Sequence, residues 1–240
     1  MCTITIVATG SGVRVACNRD EQRTRPVALP PLPRATPAGT LVYPVDSVSG
    51  GTWIGASDRG FAAVLLNRRP VIRPVPRRRR VSRGAIVPAL LASGSFTAAL
   101  STARALDCGA FDLFTVVVFD RDRAVAFTPR GDRCAETTCS FETPLLFTSS
   151  SLGDHVVAPP RSALFEAMVL RARDPLAGQR RFHRHQWHAA PHLSVLMARE
   201  DAATVSRTTI ELSHGGVRMA YVPAPQNTCR ARRSASPRRP

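Results

Sequence analysis

The chain opens "MCTITIVAT", placing a thiol, Cys2, directly after the first methionine. A thiolate is the nucleophile that acyl transfer needs. Removal of Met1 is favoured by a small following residue, and cysteine is small. The shortened chain would begin with one residue carrying both a thiol and a free α-amine. Such an amine titrates near ~7.7–8, so at neutral pH it can take the proton of its own thiol. The competing reading of Cys2 is a small apolar side chain at the start of a strand.

Cys17-Asn18-Arg19-Asp20-Glu21 closes a second alternating segment. A hairpin pairing 3–9 with 13–18 brings this end back beside Cys2. An Asp there can orient an α-ammonium, and an Arg can lower a thiol pKa or hold an anionic substrate. Arg19 would face the side opposite to Asn18 and Asp20 unless a bulge intervenes. The chain has three Asn, and two of them, Asn18 and Asn67, end strand-like segments. A side-chain amide at a strand tip can donate to an oxyanion. A turn-forming Asn and an ordinary charged strand end are the competing readings.

Hairpins must position these groups. Beyond the first, 51–67 reads as a hairpin turning at Asp58 and Gly60, followed by 111–120 with 123–130 and by 207–222. Residues 144–150 add a strand. Helical patterns cover 84–93, 95–106 with Ser95 as N-cap, and 160–173; short helices are expected at 176–187 and 199–206. Residues 22–49 carry six prolines and read as loop, and the Arg/Pro-rich stretch 68–83 as exposed loop. The class is α+β, with helices covering sheets, in one domain over 1–224 followed by a disordered Arg-rich tail, 225–240.

The net charge of +16 comes from 33 basic residues, every one an Arg. Strong G+C pressure on codons produces that bias, whereas phosphate binding gives no reason to exclude Lys. The runs at 73–83 and 229–240 are solvated blocks that would hold polyanions only in a salt-dependent way. With no nucleic-acid-binding signature, no specific nucleic-acid partner is expected. No apolar run is long enough for a membrane span, and the start of the chain alternates, unlike a leader. A cytoplasmic, thiol-reducing location is expected. Cysteines 2, 17, 108, 134, 139 and 229 show no paired spacing, so neither a disulfide framework nor a zinc site is expected.

"MCTI", "NRDE" at 18–21, "GGTWIG" at 50–55 and "LLN" at 65–67, together with "RFHRHQW" and "MAREDAATVS", resemble the NRDE family, also called transport-and-Golgi-organisation proteins. That family is similar to N-terminal-nucleophile (Ntn) hydrolases of the penicillin V acylase and bile salt hydrolase type. The resemblance implies a four-layer αββα sandwich and hydrolysis or transfer of an amide or acyl bond on a small substrate, with no cofactor. It makes Cys2 the nucleophile, Asp20 the holder of the α-amine and Asn67 an oxyanion donor. Asn18, Arg19, Trp53 and Ser149 become candidate substrate-binding residues. Two departures stand out: Cys17 occupies the place of an Arg, and Ser149 that of a second oxyanion Asn.

The resemblance also opens a non-catalytic alternative, haem binding and trafficking in the same pocket. In "FHRHQWH", His185 and His188 are spaced i, i+3 and would share a helix face as iron ligands. Solvated polar-face histidines are the competing reading. Trp53 and Trp187 could line a pocket or simply fill core.

Overall fold

The computed structural model of the protein describes residues 1–69, 81–130 and 133–224. The expectations for most of 68–83 and for the tail 225–240 lie outside the described residues. In chain order the strands are β1 (Cys2–Thr9), β2 (Gly12–Gln22), β3 (Leu29–Thr36), β4 (Gly39–Val45), β5 (Ile54–Ser57), β6 (Phe61–Asn67), β7 (Phe114–Phe119), β8 (Arg123–Arg130), β9 (Arg133–Ser140), β10 (Leu145–Thr148), β11 (Ala202–Ser213) and β12 (Gly216–Pro223). The α-helices are α1 (Ile86–Leu91), α2 (Phe96–Arg104), α3 (Asp154–Phe165) and α4 (Pro175–Phe182). One antiparallel sheet has the order β10-β1-β2-β11-β12, and the other runs β3 to β9 in sequence order.

Alternation along the strands decides how the sheets bury themselves. Cys2, Ile4 and Ile6 of β1 and Val13, Val15 and Cys17 of β2 meet Val64, Leu66, Val117 and Phe119 of the second sheet in one apolar cluster. The opposite parity on β6 and β7 (Phe61, Ala63, Leu65, Val116, Val118) packs against Ile86, Leu90 and Leu100 of α1 and α2. Val7 meets Phe165, Val169 and Phe182, so α3, α4 and the π-helical turn between them cover the other side of β1. Each such side chain contributes ~1.5–3 kcal/mol on burial. A one-residue slip of β1 would exchange Ile4 and Ile6 for Thr3 and Thr5, so the register is tightly held.

Several expectations change. Residues 22–49 are not loop: β3 and β4 form a hairpin there. Pro30, Pro31 and Pro33 are tolerated because β3 is an edge strand, with an open side on which a missing N–H breaks no ladder bond. Helix 160–173 instead begins at Asp154, runs through Pro159 and Pro160, and passes into the π-helical turn 166–170. The segment 199–206 is not a helix, since β11 begins at Ala202. Strand β9, at the opposite edge, had no sequence signal because its alternation is polar. It also carries Cys134, which is disulfide-bonded to Cys108, with a Cα–Cα distance of 6.3 Å. The expectation that no cysteines pair is corrected. The bond joins the turn after α2 to the β8–β9 hairpin, a juxtaposition that linear spacing does not encode. No helix among the described residues is long and apolar enough to cross a membrane.

The "GG" before Trp53 has a steric reason. A Cβ on Gly51 would stand 2.5–2.6 Å from the backbone of Gly84, and the Thr52 amide donates to the Gly84 carbonyl at 3.0 Å. This contact ties segment 82–84 to the residues just before β5. Gly51→Ala should cost about 1–3 kcal/mol through backbone overlap. Thermal denaturation should show a Tm lower by about 2–10 °C.

Candidate active site

The pairing of β1 with β2 places Cys2 opposite Arg19, Thr3 opposite Asn18 and Ile4 opposite Cys17. Cys2 and Arg19 therefore point between the sheets, while Asn18 and Asp20 point to the helix-covered face. A bulge in β11 at Val205 falls opposite the Arg19–Asp20 step. It adjusts the partner strand and leaves the alternation of β2 intact.

Cys2 and Arg19 line a cavity of about 510 Å³ with Asp46, Trp53, Asn67 and Gly84. The Arg19 guanidinium lies 4.3 Å from the centre of the Trp53 ring, a cation–π contact. Its Nη2 donates to Asp46 Oδ2 at 2.6 Å and to Glu21 Oε2 at 3.3 Å. Asp46 also takes a two-bond clamp from Arg25, 2.8 Å on each oxygen. Its Oδ1 further accepts from the Ser49 amide and hydroxyl at 2.9 and 3.1 Å. Although burial pushes Asp46 up, the bonds from Arg25 and Ser49 and the Arg19 charge hold it well below the usual carboxylate range. The cavity side of Cys2 is thus a fixed lattice of charges.

The backbone around Cys2 is equally fixed. The N-terminal ammonium donates to the Asp20 carbonyl at 2.8 Å, and the Asp20 amide donates to the Met1 carbonyl at 2.7 Å. The Cys2 amide donates to Ser149 Oγ at 3.3 Å, while the Ser149 amide donates to the Cys2 carbonyl at 3.0 Å. The Asp20 carboxylate is buried and accepts from the Thr204 hydroxyl at 2.6 Å. Burial raises its pKa, opposed by Arg161, the N-terminus and Thr204. The Cys2 thiol is held below the ordinary thiol value, first by a hydrogen bond from the Cys17 thiol and then by the N-terminal ammonium and Arg19; burial and Asp20 oppose this.

The structure thus gathers Cys2, Arg19, Trp53 and Asn67 around one cavity. Asp20 and Asn67 also line a neighbouring cavity of about 450 Å³ beside Met1. Ser149 touches the Cys2 backbone and faces a third cavity, of about 800 Å³, with Phe147 and Leu66. Asn18 is not brought to the site. Its Nδ2 donates to the carbonyls of His183 and Val195 at 3.0 and 2.8 Å, so its Oδ1 is left to accept from His183 Nδ1 at 2.9 Å. His185 and His188 do not share a helix face, because α4 ends at Phe182. His185 packs edge-on against Trp187, and no histidine lines the Cys2 cavity among the described residues. The ligand set expected for haem does not assemble there.

Sequence reasoning missed Asp46, Arg161 and His183. Asp46 had a signal in "DSVSGG", a turn-forming cluster whose first residue caps its own loop. Arg161, fully buried, donates to Thr3 Oγ1 and Thr148 Oγ1, both at 2.8 Å, and to the carbonyls of Leu193 and Ser194. It ties β1 to β10 one residue away from the Cys2–Ser149 contact. Nothing in its local sequence marks it.

The architecture is that of the Ntn-hydrolase fold. An N-acylethanolamine-hydrolyzing acid amidase ortholog from Caenorhabditis elegans matches with a TM-score of 0.59 at 11% identity, covering 92% of this chain and 100% of that one. Penicillin V acylase from Agrobacterium tumefaciens matches with a TM-score of 0.54 at 13% identity, covering 93% and 86%. The C2A mutant of a conjugated bile acid hydrolase from Clostridium perfringens matches with a TM-score of 0.55 at 9% identity, covering 93% and 92%. Within that fold, residues 1–155 match the Transport and Golgi organisation 2 family, and the chain belongs to it. No curated protein matches the sequence.

The buried His183 yields a pH test. Its Nε2 is 2.7 Å from the Thr5 hydroxyl. With Nδ1–H directed to Asn18, Nε2 is the acceptor. Burial, with Arg207 and Arg14 adding, pushes its pKa down to about 3. An unfolded His titrates near ~6.5, so between these values the unfolded chain binds the proton and the folded chain does not. The stability is fully present above ~6.5 and falls by about 1.4 kcal/mol per pH unit below it. Asp46 also loses its contribution in acid, but only below ~3.9. Between pH 6.5 and 4.5 the Tm should fall steadily while the His183 imidazole stays neutral by NMR. A ring that titrates near 6.5 in the folded protein would contradict this.

Proposed function

We propose that this chain is a cysteine hydrolase or acyltransferase acting on an amide or acyl bond of a small substrate, with Cys2 as an N-terminal nucleophile once Met1 is removed. The observation that carries the reading is the nitrogen of Cys2. It is fixed by Ser149 Oγ beside the Met1–Asp20 ladder, and its thiol lines a cavity with Arg19 and Asn67. Loss of Met1 would turn that fixed nitrogen into an α-amine without moving it. The packing of α1 and α2 on one sheet and of α3 and α4 on the other supports an αββα layer order within 1–224, the arrangement such a site needs.

The steps follow from these positions. The Cys2 thiol passes its proton to the α-amine, and the thiolate sulfur adds to the substrate carbonyl carbon. The π electron pair moves to oxygen, where Asn67 Nδ2 and a backbone N–H hold it. Collapse expels the leaving amine, which takes the proton from the α-ammonium. Water then adds to the thioester, giving up its proton to the α-amine, and releases the acid and the thiol. Asp20 and Ser149 hold the amine in place, and Arg19, clamped by Asp46, borders the substrate. The neighbours in fold are a penicillin V acylase, a conjugated bile acid hydrolase and an N-acylethanolamine-hydrolyzing amidase, which favours a small amide as substrate.

Intact mass of the purified protein, before and after an electrophilic acylating probe, tests the mechanism. The expected mass is short by one methionine residue, with a single label that Cys2→Ala abolishes. Asn67→Ala should slow acylation about 10²- to 10³-fold, the usual effect of losing one oxyanion donor. Retained Met1, or a label that persists in Cys2→Ala, would remove the N-terminal nucleophile.

A further inference from the structure

The mechanism above leaves one buried thiol without a role. Cys17 lies on β2 opposite Ile4, two residues before Arg19, the partner of Cys2. Cys2 and Cys17 are therefore diagonal neighbours on one face of paired antiparallel strands. Both belong to the apolar cluster between the sheets, at 3% and 1% exposure. The Cys17 thiol acts on the Cys2 titration, lowering it, and Cys2 in turn raises that of Cys17.

Few other groups act on that sulfur. From the chain start comes the N-terminal ammonium, and from β2 come Arg19 and Asp20. Arg19 is committed to Asp46 and Glu21, and Asp20 faces Arg161 and Arg199. Just after β10 stands the uncharged Ser149, whose Oγ takes the Cys2 amide, and β6 ends in the uncharged Asn67.

We propose that Cys17 is a fixed hydrogen-bond donor to the nucleophilic sulfur of Cys2, so that the reacting group is a thiol–thiolate pair. The inference rests on the acyl-transfer reading, because only a reacting Cys2 gives the pair a task. Cys17 keeps its proton throughout: its bond to Cys2, burial and the charge on that sulfur all push its titration well above the ordinary thiol value. The proton that leaves Cys2 goes to the α-amine. The Cys2 sulfur then uses its electron pair to form the S–C bond, while the Cys17 S–H bond stays intact. What Cys17 supplies is a larger thiolate population at neutral pH against the burial that would otherwise suppress it.

The test is the pH dependence of Cys2 alkylation by iodoacetamide, resolved from the other cysteines by peptide mapping of the full chain. Cys17→Val fills similar space without a donor, and Cys17→Ser keeps an O–H. Cys17→Val should move the midpoint for Cys2 upward by about one pH unit or more, slowing alkylation about tenfold below both midpoints. Cys17→Ser should stay near the wild type. An unchanged midpoint in Cys17→Val overturns the proposal. So does a Cys17→Ser shift as large as that of Cys17→Val, since packing would then set the value. Thermal melts establish that each variant folds, and Cys17→Ala replaces Cys17→Val if the latter does not. A wild-type Cys2 that stays unlabelled while Cys139 reacts ends the nucleophile reading itself, a result distinct from either failure above.

Discussion

The antiparallel register of β1 with β2 is the constraint on which the rest depends. Because side chains alternate, one pairing decides that Cys2, Cys17 and Arg19 face the space between the sheets and that Thr3, Asn18 and Asp20 face the helices. The register is enforced from both sides. Ile4, Ile6, Val13 and Val15 require the apolar side, and the polar set opposite them is buried too. A slip would put hydroxyls, an amide and a carboxylate among Val64, Leu66 and Phe119, and leave isoleucines facing Arg161. Either half of that exchange would cost more than a domain of this size can lose.

Burying Thr3, Thr5, Asn18 and Asp20 on the outer face of β1 and β2 is tolerated because each has a partner. Arg161 serves Thr3 and Thr148, and Gln179 reaches the hydroxyl and carbonyl of Thr5 and the carbonyl of Arg14. His183 joins Thr5 to Asn18. These partners come from α3, α4 and the residue that follows α4, so the helices do more than cover the sheet. They determine where β10 lies along β1, and with it where Ser149 meets the Cys2 amide. The charges in that layer are arranged in the same spirit. Asp20 and Arg161 are both buried, and the attraction of each keeps the other nearer to its ionised form.

Much of this was legible in the sequence, and what was not has physical causes. The hairpins around Gly10, Asp58, Asp122 and Gly215 could be read because β-branched alternation and turn residues agree there. Strands β3 and β9 could not, since edge strands carry proline or polar residues without losing ladder bonds on their open side. Of the candidate site, Cys2, Arg19, Trp53 and Asn67 stand in local motifs and do share a cavity. Asn18 belongs to the same four-residue motif and faces away, because a motif in a strand is split by the pleat. Arg161 and His183 were invisible because their partners on β1 and β2 are 158 to 178 positions distant, and only tertiary structure places them.

The pleat also explains why the second thiol matters. Had Cys17 been shifted by one position, it would have joined the polar face with Asn18, where Gln179 and His183 already satisfy their neighbours. On the inner face, its surroundings are isoleucine, valine and Cys2 in one apolar cluster. An arginine at that place would bring a charge that the apolar cluster could not solvate without a carboxylate beside it. In this chain the cation is instead Arg19, on the same face two residues further along β2, where Asp46 and Glu21 balance it. The uncharged thiol thus lies among apolar side chains of the inner face, and the charged group lies where carboxylates meet it.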